Sequence, residues 1–127
     1  MSNKIEIYHD GPNEDQLINL ISNKISGFTF NPSIFKKLKI DNYLEACKKY
    51  SKLANQKPVS LEIIADNNKE AYDQAIKLSN ISNNVYVKIP VMFTNKEPTY
   101  ELIQKLTKKN INLNITAILS LQQIEEL

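Results

Sequence analysis

Apolar positions recur along this chain in two alternating rhythms. Short runs repeat every second residue, as in a strand, and longer stretches repeat every third or fourth, as in a helix. Residues 5–8 (Ile-Glu-Ile-Tyr) predict a first strand, closed by the loop signal His9-Asp10-Gly11-Pro12. Asn13 can cap a helix over 14–24, with Leu17, Ile18 and Ile21 on one face. Residues 26–30 predict a second strand, stopped at Asn31-Pro32, and Ser33 opens a helical stretch. Asp41 caps a clearer helix, in which Tyr43, Leu44, Cys47, Tyr50 and Ala54 recur at helical spacing. Residues 59–64 predict a third strand, and Asn67 or Asn68 starts a helix carrying Ala71, Tyr72, Ala75, Ile76 and Leu78. Residues 85–89 predict a fourth strand, ended by Pro90. Pro98 suits the first turn of the next helix, which carries Leu102, Ile103 and Leu106. A fifth strand is predicted over 112–118, and Ser120 caps a last helix over 121–127.

Regular βα alternation predicts a parallel α/β sheet. No Gly-rich phosphate turn follows the first strand, which weighs against a nucleotide-binding doubly wound sheet. The pattern reads instead as a partial (β/α)8 TIM barrel of about five of the eight parallel βα units. Its 127 residues form one incomplete domain, about half the usual ~250.

Parallel strands covered on both faces are almost wholly apolar. These strands are not. Tyr86 and Lys88 lie opposite Val85, Val87 and Ile89; Glu62 lies opposite Leu61 and Ile63. Asn114 and Thr116 oppose Leu113, Ile115 and Ala117, and Thr29 and Asn31 oppose Phe28 and Phe30. Asp10 shares the parity of Glu6 and Tyr8. Five strands thus carry polar residues on one face, mostly toward their C-terminal ends, where barrel active sites form.

Composition narrows the chemistry. All 16 basic residues are Lys, so the bidentate Arg clamp on phosphate is absent. Net charge is only +2 and no basic block carries interleaved aromatics, so nucleic-acid binding is not expected. The single Cys47 excludes an internal disulfide, and with His9 the only His no metal site is expected. No cofactor is expected. No apolar run approaches the ~20 residues of a membrane span, and the N-terminus lacks a signal-peptide core. A cytoplasmic protein without membrane contact is the expectation.

A Lys among Val and Ile loses hydration, which favours the neutral amine. Such an amine can attack a ketone and form a Schiff base. Asp10 and Glu62 could move protons, one on a substrate hydroxyl and one through water. Asn31 and Asn114 could hold substrate hydroxyls.

At these residues the chain resembles the transaldolase family, including its small members and the fructose 6-phosphate aldolases. The segments are Ile7-Tyr8-His9-Asp10, Gly27-Phe28-Thr29-Phe30-Asn31-Pro32-Ser33, Ser60-Leu61-Glu62-Ile63, Val85-Tyr86-Val87-Lys88-Ile89-Pro90 and Asn114-Ile115-Thr116-Ala117-Ile118-Leu119-Ser120. The resemblance implies that Lys88 is the Schiff-base lysine and Asp10 the acid/base carboxylate. It implies that Glu62 and Thr116 hold the catalytic water, and that Asn31, Asn114 and Ser120 bind substrate hydroxyls, with Thr29 beside them. Glu rather than Gln at position 62 favours a transaldolase over an aldolase. The implied reaction moves a dihydroxyacetone unit between sugar phosphates, as in the pentose phosphate pathway. Phe30 departs from the family's second Thr, Leu119 replaces a common aromatic, and the loop 92–99 is longer and lacks Gly.

The family's phosphate-binding half has no counterpart here, so the chain reads as a truncated or split barrel. Such a sheet exposes two pairing edges. A homo-oligomer, or a second chain that completes the barrel, is the expected partner, beside a sugar-phosphate substrate. The rival readings are a fructose 6-phosphate aldolase-like lyase and a non-catalytic half-barrel subunit.

Overall fold

The computed structural model describes residues 4–127. Five parallel strands form one sheet in sequential order: β1 (Tyr8–Asp10), β2 (Gly27–Phe30), β3 (Val59–Glu62), β4 (Val85–Pro90) and β5 (Leu113–Thr116). The helices are α1 (Glu14–Leu20), α2 (Pro32–Lys37), α3 (Tyr43–Leu53), α4 (Asn68–Ser79), α5 (Tyr100–Thr107) and α6 (Leu121–Glu125). Every crossover joins neighbouring strands. Right-handed crossovers that never reverse direction lay all their helices on one face, as in a barrel; a doubly wound sheet reverses order. The architecture is α/β, consistent with part of a TIM barrel.

Burial follows from this one-sided cover. Phe28, Phe30, Val59, Leu61, Val85, Val87 and Ile89 point under the helices and are buried. Their neighbours on the other face of β4, namely Tyr86, Lys88 and Pro90, remain half-buried. Beneath the helices, Phe30 stacks on Phe35 at 5.0 Å and meets the edge of Tyr50 at 4.8 Å. Leu78, Leu102 and Leu106 extend the same core toward β5. A polar tie crosses it: the Asn84 amide, itself buried, donates to the carbonyls of Ser51 at 3.2 Å and Lys57 at 3.0 Å.

Several boundaries differ from the sequence pattern. The first strand occupies Tyr8–Asp10 rather than 5–8. Ile5 and Ile7 are 82% and 51% exposed, because β1 has a partner on one side only and pairs from Tyr8↔Gly27 onward. Asp10 is therefore a strand residue, not a loop residue. Asn42, not Asp41, caps α3, its side chain accepting from the Glu45 N–H. Asn31 caps α2 and puts Pro32 at the first helical position, one residue before the expected Ser33. Pro98 precedes α5 and is held in a bridge to Met92. The first and last helices are shorter than their apolar patterns, and Ile18 and Leu44 face solvent. The strands at 59–62 and 113–116 are likewise shorter than predicted, since pairing ends before the apolar runs do. The expected caps at Asn13, Asn67 and Ser120 are present.

Candidate active site

Strand register assembles the bare face. Asp10, Thr29, Ser60 and Tyr86 lie level across β1 to β4. One step toward the C-terminal ends, Glu62, Lys88 and Asn114 lie level across β3 to β5. In-register residues of parallel strands share a face, so these seven side chains project to the side that no helix covers. Thr116 follows on β5, opposite Pro90.

Lys88 is half-buried between the buried Val87 and Ile89, which fix the strand and turn its amine to the open side. Among the described residues the ion pairs are Lys48–Glu45, Lys49–Glu14 and Lys105–Glu101, so the Lys88 amine is not tied up in one. Asp10 accepts a hydrogen bond from the Thr29 hydroxyl at 2.6 Å, which orients one carboxylate oxygen and leaves the other free. Glu62 is anchored through its backbone: its carbonyl accepts from the Tyr43 hydroxyl, and the next amide, Ile63, donates to the Lys88 carbonyl at 3.2 Å. Burial is the main reason that the Tyr43 hydroxyl titrates far above the usual tyrosine range, so it remains a donor.

Asn114 reaches over β4 and donates to the Ser60 hydroxyl at 3.1 Å. Since Asn114 is level with Lys88 and Ser60 with Tyr86, this bond crosses β4 between those two side chains. It forms a polar sill beneath Lys88. Ser60 was not singled out in the sequence, although it shares the parity of Glu62 and is buried. A small hydroxyl two residues before a strand-end acid was the available signal. The Thr116 hydroxyl is buried without a hydrogen-bond partner, an unused group beside the strand-end cluster.

Two expected substrate ligands have structural work. The Asn31 side-chain oxygen accepts from the Ile34 N–H at 2.9 Å, capping α2, so only its amide group remains to meet a ligand. The Ser120 hydroxyl accepts from the Gln123 N–H at 3.3 Å within a capping box on α6. Among the described residues no hydrogen bond links Ser120 to the strand-end cluster.

The bare face is open. Grooves of ≈ 570 Å³ lie elsewhere, on the helix layer; one is lined by Lys69, Tyr72, Leu102 and Lys105. Among the described residues no cluster of three His, Cys, Asp or Glu could hold a metal ion, and no helix is long and apolar enough to cross a membrane. The arrangement offers a primary amine, two carboxylates, a free hydroxyl and two amides on one strand-end surface. That set is suited to carbonyl chemistry with proton transfer.

Residues 7–127 match the family model described as Transaldolase/Fructose-6-phosphate aldolase. A Dehalococcoides mccartyi protein named "Probable transaldolase" is 32% identical over 99 residues, covering 78% of this chain and 44% of its own length. A Clostridioides difficile protein of the same name is 33% identical, with 78% and 43% covered. A Campylobacter jejuni subsp. doylei "Transaldolase" is 28% identical, with 89% and 44% covered. This chain therefore spans less than half the length of these relatives. With the match reaching from β1 through α6, the chain belongs to the transaldolase/fructose-6-phosphate aldolase family.

Proposed function

We propose that this chain carries the Schiff-base half of a transaldolase-type site and transfers a dihydroxyacetone unit between sugar phosphates in cytoplasmic carbohydrate metabolism. The observation that carries the reading is the register Glu62↔Lys88↔Asn114 on the uncovered face of a sequential parallel sheet. The Lys88 amine adds to the ketose carbonyl; the resulting carbinolamine loses water and leaves an imine. Glu62 and Thr116 hold that water and pass its proton. Asp10, oriented by Thr29, takes the proton from the hydroxyl on the far carbon of the bond to be cleaved, which becomes the carbonyl of the leaving aldose. The carbon–carbon bond then breaks, its electrons pass into the protonated imine, and an aldose leaves. The enamine that stays on Lys88 adds to an acceptor aldehyde, and hydrolysis frees the amine. Asn114, steadied by Ser60, and the amide of Asn31 meet substrate hydroxyls.

The same reading needs a cover for the sheet. The two buried polar atoms left without partners among the described residues, His9 Nδ1 and Thr116 Oγ1, lie on the two edge strands. Ile5 and Ile7 before β1 and Tyr8 on it are exposed, as are Leu119, Leu121 and Ile124 beyond β5. Orphaned polar groups and apolar side chains at both edges support closure by further βα units, which would also bring the phosphate site.

Borohydride trapping with dihydroxyacetone or fructose 6-phosphate, followed by peptide mapping, tests the proposal. An adduct on Lys88 that disappears in Lys88→Ala is the expected result. An adduct elsewhere, or none on folded protein, refutes a self-sufficient Schiff-base half.

A further inference from the structure

Beyond Glu62 and Lys88 the chain leaves the sheet in two loops, 63–67 and 91–99. Past the Ile63-to-Lys88 backbone bond, among the described residues, one residue pair joins these loops by hydrogen bonds. The Asp66 carboxylate accepts from the Thr94 N–H at 2.9 Å with one oxygen and from the Thr94 hydroxyl with the other. The two donations hold the Asp66 carboxyl below its usual range.

Both ends of this strut are rooted. On the β3 side, Gln74 of α4 accepts from the amides of Ile64 at 2.7 Å and Ala65 at 2.9 Å. On the β4 side, Phe93 is buried in the core, and its N–H donates to the Glu97 carbonyl at 2.9 Å. Thr99 closes the base of that loop, its hydroxyl donating to the Pro90 carbonyl at 2.6 Å and its N–H to Val91 at 3.0 Å. The strut therefore ties two ordered loops, each starting one to three residues after a proposed catalytic side chain.

We propose that Asp66 and Thr94 are positioning residues that hold the C-terminal ends of β3 and β4 in place, so that Glu62 stays level with Lys88 during imine formation. The proposal rests on the Schiff-base reading above. Asp66 and Thr94 touch neither amine nor substrate; they act through the loops. Water can replace the hydrogen bonds of this exposed pair, which keeps its contribution to global stability modest, whereas a misplacement of about 1 Å at a reacting pair can cost roughly a hundredfold in rate. The effect belongs in the rate of imine formation.

The experiment is the rate of borohydride-trappable adduct on Lys88 as a function of dihydroxyacetone concentration, for the full chain and its variants. Asp66→Ala is expected to lower the maximal rate about tenfold, with the half-saturating concentration and melting temperature little changed. Asp66→Asn keeps an acceptor for the Thr94 N–H and a partner for its hydroxyl, and is expected to remain within about twofold of the parent. Thr94→Val, which loses the hydroxyl alone, falls between them. Equal rates in Asp66→Ala and the parent overturn the positioning role and leave the Schiff-base reading standing. A rate in Asp66→Asn as low as in Asp66→Ala, or a loss that tracks the melting temperature in both Asp66→Ala and Thr94→Val, overturns it too. A folded parent that forms no adduct overturns both.

Discussion

Gly27 of β2 lies between Tyr8 of β1 and Pro58, the residue before β3, and Gly27→Ala is a demanding test of that packing. A Cβ built there meets the Pro58 carbonyl oxygen at 2.6 Å and the Tyr8 ring at 2.4 and 2.9 Å. Tyr8 is partly exposed at the sheet edge and can swing aside. The Pro58 carbonyl cannot, because it accepts from the Phe28 N–H at 2.9 Å as part of the β2–β3 pairing. Reaching ordinary contact at 3.4 Å requires β2 and the end of the α3–β3 loop to part by about 0.8 Å. That displacement breaks the Phe28 bond, at a cost of about 1 kcal/mol, and disturbs the fit of Phe28 and Val59, both buried. Overpacking of this kind costs about 1–3 kcal/mol. The sum is about 2–4 kcal/mol, or roughly 8–15 °C in melting temperature for a domain of this size. Urea and thermal melts followed by circular dichroism read both. The double variant Tyr8→Ala/Gly27→Ala separates the two contacts: it should recover little, since the backbone contact remains. A loss under about 0.5 kcal/mol in Gly27→Ala, or full recovery in the double variant, would refute the claim that the β2–β3 approach sets the requirement for glycine.

Burial pushes the Cys47 thiol up to about 12 from 9.0 and raises Tyr43 as well. Both folded values exceed the unfolded ones, so their contribution to stability is complete below pH ~9 and is lost as pH rises toward 12. Urea midpoints measured from pH 8 to 11 should fall, and Cys47→Ser should flatten the curve; a midpoint independent of pH would contradict this burial. The thiol should also resist alkylation at pH 8 until the chain unfolds. The uncovered sheet edges predict self-association that grows with concentration, read by sizing chromatography with light scattering. A sharp monomer peak at high concentration together with a cooperative melt would show that the edges need no cover.

Local sequence determined the order of elements and the parity of the candidate site residues. Period-two runs bounded by Asn, Pro and Gly located all five strands, and Asn13, Asn67 and Ser120 announced their helices because capping is settled within four residues. The parity of Glu62, Lys88, Asn114 and Thr116 was legible for the same reason: side-chain alternation is a local property of an extended chain. Tertiary structure decided what depends on a partner strand or a distant loop. The register that sets Lys88 level with Glu62 and Asn114 comes from ladders between segments 26 residues apart. The first strand begins at Tyr8 because pairing, not apolar pattern, ends it there. Asn31 and Ser120 look alike as polar residues after strands, yet both spend an oxygen on a helix N-terminus. Ser60 beneath Asn114 and Asp66 against Thr94 lie 54 and 28 residues from their partners, beyond any pattern read along the chain. One-sided helix cover leaves the polar face bare, and that follows from the uniform direction of the crossovers, which no single βα unit contains.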